Sequence, residues 1–136
     1  MTIRYPPFYG QVLICAFPDC HVSPEMTKRR PVICLSPTNR DRYNLVTVVP
    51  LSTTESKNDD FAVKVTLEKS VSEHFNAIEC WAKCDMLYTF SFSRFSLPGR
   101  GKDANGNRLY SRIIIDKETM KEIVEKVTKS ISEIEK

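Results

Sequence analysis

Residues 11–17 (Gln-Val-Leu-Ile-Cys-Ala-Phe) form a nearly unbroken apolar run of strand length, which predicts a strand buried on both faces. The stretch before it, Tyr5-Pro6-Pro7-Phe8-Tyr9-Gly10, excludes a helix through its two prolines, and Gly10 allows a sharp entry. Pro18 ends the run and opens a long polar loop to Arg30 that carries both charge signs, more than a connector needs. Lys28-Arg29-Arg30 is then followed at once by Pro31 and a second apolar run, Val32–Leu35. Proline has no N–H to give a ladder, so the pattern predicts that Pro31 starts this strand and Arg30 is the last loop residue. A polar turn over 37–44 leads to a third strand, Leu45–Leu51, in which Pro50 marks a bulge or a departure from the ladder.

Phe61, Val63, Val65 and Leu67 alternate with Ala62, Lys64 and Thr66, the pattern of a half-exposed strand. Residues 69–76 suggest at most one helical turn. Residues 79–89 read as one strand, with Cys80, Ala82 and Cys84 on one side, Trp81 and Lys83 on the other, and Asp85 interrupting it. Phe90 and Phe92 alternate with Ser91 and Ser93. Residues 97–108 combine Pro98 and three glycines with Arg100, Lys102 and Arg108, which predicts a mobile basic loop. After Ile113–Ile115, Asp116 is a candidate N-cap, and Met120, Val124, Val127, Ile131 and Ile134 form the apolar stripe of one helix running to the C-terminus. Five or six short strands and a terminal helix describe a mainly β (α+β) fold: one domain over 1–136, a small β-barrel capped by a helix.

Composition narrows the chemistry. Lys plus Arg is 20 against 17 Asp plus Glu, a net charge of +3, so a polyanion would have to be bound by local rather than global charge. The five cysteines (Cys15, Cys20, Cys34, Cys80, Cys84) include no Cys-x-x-Cys pair, and neither His21 nor His74 has ligand-like spacing, so the chain reads as metal-free, cofactor-free and reduced, as in the cytoplasm. The N-terminus lacks an apolar signal core, and no apolar run is long enough to span a membrane.

No phosphate loop, zinc motif or serine triad is written in the chain. What stands out is a combination. Strands two and three should pair as antiparallel neighbours, which sets the start of one beside the end of the other. Arg30 and Ser52 would then share a rim. A guanidinium there can neutralise charge growing on phosphate oxygens, and a hydroxyl can position such an oxygen or relay a proton. With RNA as substrate, the nucleophile can be its own 2′-OH.

On Gly10–Phe17, a loop with Glu25, Arg30-Pro31-Val-Ile-Cys-Leu-Ser36, Val49-Pro50-Leu51-Ser52-Thr53-Thr54, Asp85–Arg94 and the terminal helix, the chain resembles the MazF/PemK family of bacterial toxins. That resemblance implies an SH3-like barrel with a C-terminal helix, a homodimer, and sequence-specific, metal-independent cleavage of single-stranded RNA to a 2′,3′-cyclic phosphate. It also implies a cognate antitoxin as partner. It makes Arg30 and Ser52 the catalytic pair, with Thr53 just behind, and matches Glu25 and Arg94 as RNA-binding residues; the basic Lys28 and Arg29 and the aromatic Tyr88 are expected to add phosphate contacts and stacking. The match departs at Ala16, where many members have Asp, and at Tyr88 and Ser91, where some members carry an acid–base Arg and Asp; Thr89 does match. Two other readings stay open: a gyrase poison like CcdB, against which the absence of a Trp in the last helix argues, and a catalytically silent nucleic-acid-binding barrel.

Overall fold

The computed structural model describes residues 2–38, 42–54, 60–67 and 78–133. The suggested helical turn over 69–76 and the stripe residue Ile134 lie outside them. The strands are β1 (Val12–Ala16), β2 (Arg29–Cys34), β3 (Leu45–Ser52), β4 (Ala62–Thr66), β5 (Glu79–Lys83), β6 (Tyr88–Ser91), β7 (Phe95–Ser96), β8 (Gly99–Lys102) and β9 (Arg108–Tyr110), with a helix α1 (Lys117–Ser130). β4-β5-β3-β2-β1-β7 lie in that order in one antiparallel sheet, β6 also pairs with β3, and β8 and β9 form a separate hairpin. The sheet path is open, so the expected closed barrel is corrected to an antiparallel sheet whose path ends at β4 and β7. No described helix is long and apolar enough to cross a membrane.

Alternation along β1 explains why it reads as a continuous apolar run. Val12 and Ile14 face a core that includes Ile33, Val49, Val63, Ile115 and Met120. Leu13 and Cys15 face a second core with Val32, Cys34, Val48, Phe92 and Phe95. A strand with successive side chains on opposite faces must be apolar at every position when both faces are covered. Helix α1 covers the first face. Gly10 lies under it at φ +83°; a Cβ there would approach Met120 Cγ to 3.3 Å, so only glycine turns the chain into β1 at this point.

Both prolines are inside strands, and each sits where its nitrogen has no ladder to serve. Cys34 N–H donates to Gln11 O and Phe17 N–H to Lys28 O. Counting between those hydrogen-bonded positions, Ile14–Pro31 is a non-hydrogen-bonded pair, and the Pro31 nitrogen faces β3. The β2–β3 ladder has stopped one residue earlier, at Val32–Pro50. Pro31 is therefore the third residue of β2 rather than its first, and Arg30 belongs to the strand. Pro50 falls in the gap where β3 changes partners on its other side, from β6 (up to Val48–Tyr88) to β5 (from Leu51–Ala82).

Three further expectations change. The strand over 79–89 is two, because Met86 N–H closes a turn onto Lys83 O. The segment after Ser91 makes a turn of 3-10 helix over 92–94. Residues 97–108 include most of a paired hairpin, β8–β9, rather than only an irregular loop. Asp116 does cap α1, its Oδ2 accepting from Thr119 N–H at 3.0 Å. The buried face of that helix is Met120, Ile123 and Val127, whereas Val124 and Ile131 are exposed. Spacing alone allowed either Ile123 or Val124 to follow Met120; the sheet selects the first.

Replacing Ile123 by Ala should cost about 2–5 kcal/mol in chemical unfolding, and Val124→Ala no more than about 0.5 kcal/mol. Equal costs would contradict the placement of the helix. The thiols give a second check. Burial pushes Cys15 up to about 12 and Cys34 and Cys80 to about 11 from 9.0. Iodoacetamide at neutral pH should modify the exposed Cys20 of the native protein and spare the four buried cysteines until unfolding. The unfolded chain ionises these thiols first, so the stability they contribute is complete below about pH 9 and lost as pH rises towards 11–12. A denaturation midpoint that climbs over that range would be the contrary result.

Candidate functional site

The sheet sorts the candidate residues by face. Val46 and Val48 of β3 face the second core, and Val49 and Leu51 the first. Ser52 follows the parity of Val48. Arg30 follows that of Val32, and its partner across β1 is Cys15, also of the second core. Arg30 and Ser52 each lie two residues beyond the last β2–β3 pair, Val32–Pro50, at the end where the two strands stop pairing. Both residues are half-buried. Arg30 and Ser52 therefore share one rim and one face.

Arg30 is held by its stem. Its Nε donates to Thr27 O at 3.0 Å, and its two terminal nitrogens have no partner among the described residues. Anchoring through Nε leaves the planar fork outward, the geometry that meets two phosphate oxygens at once. Ser52 Oγ accepts from Thr54 N–H at 3.1 Å, so the alcohol settles the local turn while its own proton remains to be given. Thr53 is exposed beside it.

The loop between β1 and β2 is ordered by its own polar groups. Glu25 Oε1 accepts from Val22 N–H at 2.7 Å, and Glu25 N–H donates to Val22 O at 2.9 Å, so this carboxylate closes a turn of the loop and stays on its surface. Lys28 takes φ +66°, a left-handed conformation rare for lysine, as the chain reverses into β2, and its side chain is exposed. Arg29 alternates away from Arg30; its Nη2 donates to Ser96 Oγ of β7 at 3.2 Å. Tyr88, opposite Val48, accepts from Met26 N–H at 3.1 Å and so ties β6 to the loop. The Arg94 guanidinium lies 5.9 Å from the centre of the Phe90 ring. Arg94 and Arg29 both pull the Cys15 thiol down against the larger opposing effect of burial, which sets the two cations around the end of β1.

Two residues passed over in the sequence now matter. His21 Nδ1 lies 2.9 Å from Met26 O; a carbonyl can only accept, so Nδ1 carries the proton in that contact. Its ring stacks on Tyr88 at 5.8 Å and 27°, and Tyr88 on Phe90 at 5.6 Å and 16°, over the edge of buried Phe17. Adjacent carbonyls, Met26 and Thr27, thus hold the imidazole and the Arg30 guanidinium. Nothing in the one-dimensional pattern joins His21 to Tyr88. Lys83 is the other: it shares a face with Trp81, which pairs with Ser52, and it is buried. A lysine among Cys80, Ala82 and Cys84 is the available signal, and alternation says only that it shares a side with Trp81.

Among the described residues no three His, Cys, Asp or Glu side chains gather as a metal site. Two cavities, of about 480 and 340 Å³, are lined by the N-terminal segment with Tyr110 and Arg112, and by Ser36, Arg42, Thr47 and Thr89. Neither of these two includes Arg30 or Ser52. Ser91 is exposed and caps the 3-10 turn, its Oγ accepting from Ser93 N–H, and Ala16 pairs with Arg29.

In solved structures, the fold is similar to an endoribonuclease in complex with its cognate antitoxin from a mycobacterial species, at 17% identity and a TM-score of 0.59, covering 93% of this chain and 95% of that one. No curated protein matches in sequence. The family profile of the PemK-like, MazF-like toxins of type II toxin–antitoxin systems matches residues 9–131. With nearly the whole described fold inside that match, the chain belongs to the PemK-like, MazF-like toxin family.

Proposed function

We propose that this protein is the endoribonuclease toxin of a type II toxin–antitoxin pair. It would cleave single-stranded RNA without a metal, act in the cytoplasm as a homodimer and be restrained by a cognate antitoxin. One observation carries the reading. The three arginines around the start of β2 are anchored by neutral groups: Arg30 by a carbonyl, Arg29 by a hydroxyl and Arg94 by an aromatic ring. The ion pair found among the described residues, Lys64–Glu79 at 3.5 Å, lies elsewhere on the surface. Guanidinium groups with no carboxylate partner among the described residues keep charge available for a polyanion.

In the reaction we infer, the substrate's 2′-oxygen attacks the adjacent phosphorus and gives its proton to solvent water, which in turn supplies the proton taken up by the leaving 5′-oxygen. The bond to the 5′-oxygen breaks, that oxygen takes up a proton, and a 2′,3′-cyclic phosphate and a 5′-hydroxyl result. Arg30 donates its free nitrogens to the non-bridging oxygens as their charge grows. The Ser52 hydroxyl, its oxygen pinned by Thr54, donates to one of the same oxygens. Buried Lys83 on the same face adds positive potential from behind. Lys28, Thr53 and Arg94 contact the flanking strand, and Tyr88, with the rings stacked on it, offers an apolar surface to a base. Glu25 shapes the loop that presents Arg30 and meets RNA at its outer surface.

Arg30→Ala should reduce cleavage of a long single-stranded RNA, in chelator, by at least about 100-fold, the scale for losing a transition-state charge partner. Ser52→Ala should lose about 10-fold, the scale of one neutral hydrogen bond. Mapped ends should carry the cyclic phosphate. Cutting by a folded Arg30→Ala variant at the normal rate would end the assignment, and gyrase inhibition without any RNA cleavage would favour a CcdB-like poison instead.

A further inference from the structure

The β8–β9 hairpin belongs neither to the main sheet nor to the rim. It leaves β7 directly after Ser96, the residue that holds Arg29, and is closed at its base by Ser111 N–H to Pro98 O at 2.8 Å. Its tip is tied by Asp103, whose Oδ1 accepts from Asn105 and Asn107 N–H, both at 2.9 Å. Asp103 is also the one acidic residue between 97 and 112, and its carboxylate is committed to that turn.

Across the hairpin Lys102 stands directly opposite Arg108, and both side chains are exposed. Like charges at directly opposite positions weaken a hairpin. Neither cation has a carboxylate partner among the described residues. Between 99 and 108 no large apolar side chain is exposed, so the arm lacks the buried anchor on which protein docking depends. Two cations held side by side with no anchor beside them suit a phosphodiester.

We propose that the β8–β9 hairpin is a phosphate-binding arm that grips the single strand beyond the cleaved bond, with Lys102 and Arg108 bracketing one backbone phosphate. This rests on the RNA reading for its substrate and concerns a different part of the chain. Arg29, reaching over the end of β1 to Ser96, links the rim to the arm, and Lys102 is no more than about 20 Å of extended chain from Ser96. The arm thus serves long RNA and is out of play for a fragment that only covers the rim.

The test uses the full chain with a 30-nucleotide single-stranded RNA, 2′-O-methylated so that it cannot be cut, and a hexamer of the same chemistry. Lys102→Glu should weaken the 30-mer about 5- to 10-fold at physiological salt and reduce the slope of log affinity against log salt by about 0.7, leaving the hexamer unchanged. Because the change sets opposite charges across the hairpin, the thermal midpoint should hold or rise; this trade of firmer hairpin for weaker RNA is not expected of a merely structural lysine. Arg108→Glu should repeat the result independently. Equal loss on both lengths, no loss on either, or competition by polyglutamate as effective as by RNA would overturn the arm. A wild-type protein that binds the 30-mer with this salt slope yet leaves ordinary RNA uncut would retire the nuclease reading and keep the arm.

Discussion

The pairing of Val32 with Pro50 is the constraint on which the arrangement depends. Side chains alternate across a sheet with a period of two, so a slip of one residue between β2 and β3 would carry every side chain of one strand to the other face. Arg30 would then face away from Ser52, and the two cores would exchange residues. The register is held by apolar burial on both sides at once. Ile33 and Val49 enter one core while Cys34 and Val48 enter the other. A sheet covered on one face has one penalty against slipping; this one has two. The prolines add a further limit, since Pro31 and Pro50 are tolerated only where their nitrogens meet no partner strand.

The same two-sided burial decides where charge can stand. With β1, β2 and β3 apolar through their centres, cations are admitted only at strand ends. Arg29 and Arg30 occupy the first two positions of β2, one turned to each face. Their anchors come from groups that the fold has already ordered, the Thr27 carbonyl and the Ser96 hydroxyl. A net charge of +3 would not by itself draw a polyanion, but cations gathered at one end, with no carboxylate partner among the described residues, produce a local field that it does not describe.

Much of this was legible from the order of residues. The three central strands, the alternation over 61–67, the Asp116 cap and the shared rim of Arg30 and Ser52 each followed from period, proline position or antiparallel neighbourhood. Closure was not, because hydrophobic pattern reports which faces are covered and says nothing about whether the first and last strands meet. The depth of Pro31 in β2 was misjudged for a related reason: the rule that excludes proline from a central strand applies to each ladder separately, and only the register reveals that one ladder has ended. Ile123 and Val124 are equivalent to a helical period and are separated by the sheet beneath. His21 depended on contacts with Tyr88 and Phe90, residues remote in sequence that a loop brings together, and such contacts leave no local trace.

An open rim also has a logic of its own. Enclosed cavities suit ligands that can be surrounded, and the two cavities lined by described residues, of about 480 and 340 Å³, do not include Arg30. A group at a strand end owes its precision to its own anchors rather than to an enclosing wall. That is how Arg30 and Tyr88 are built. Each spends one polar group on the backbone of the same loop, at Thr27 and Met26, and keeps its remaining surface for whatever crosses the strand ends. The loop itself is braced from within by Glu25 on Val22. Rigidity supplied from behind thus fixes the orientation of the charge that these strand ends carry.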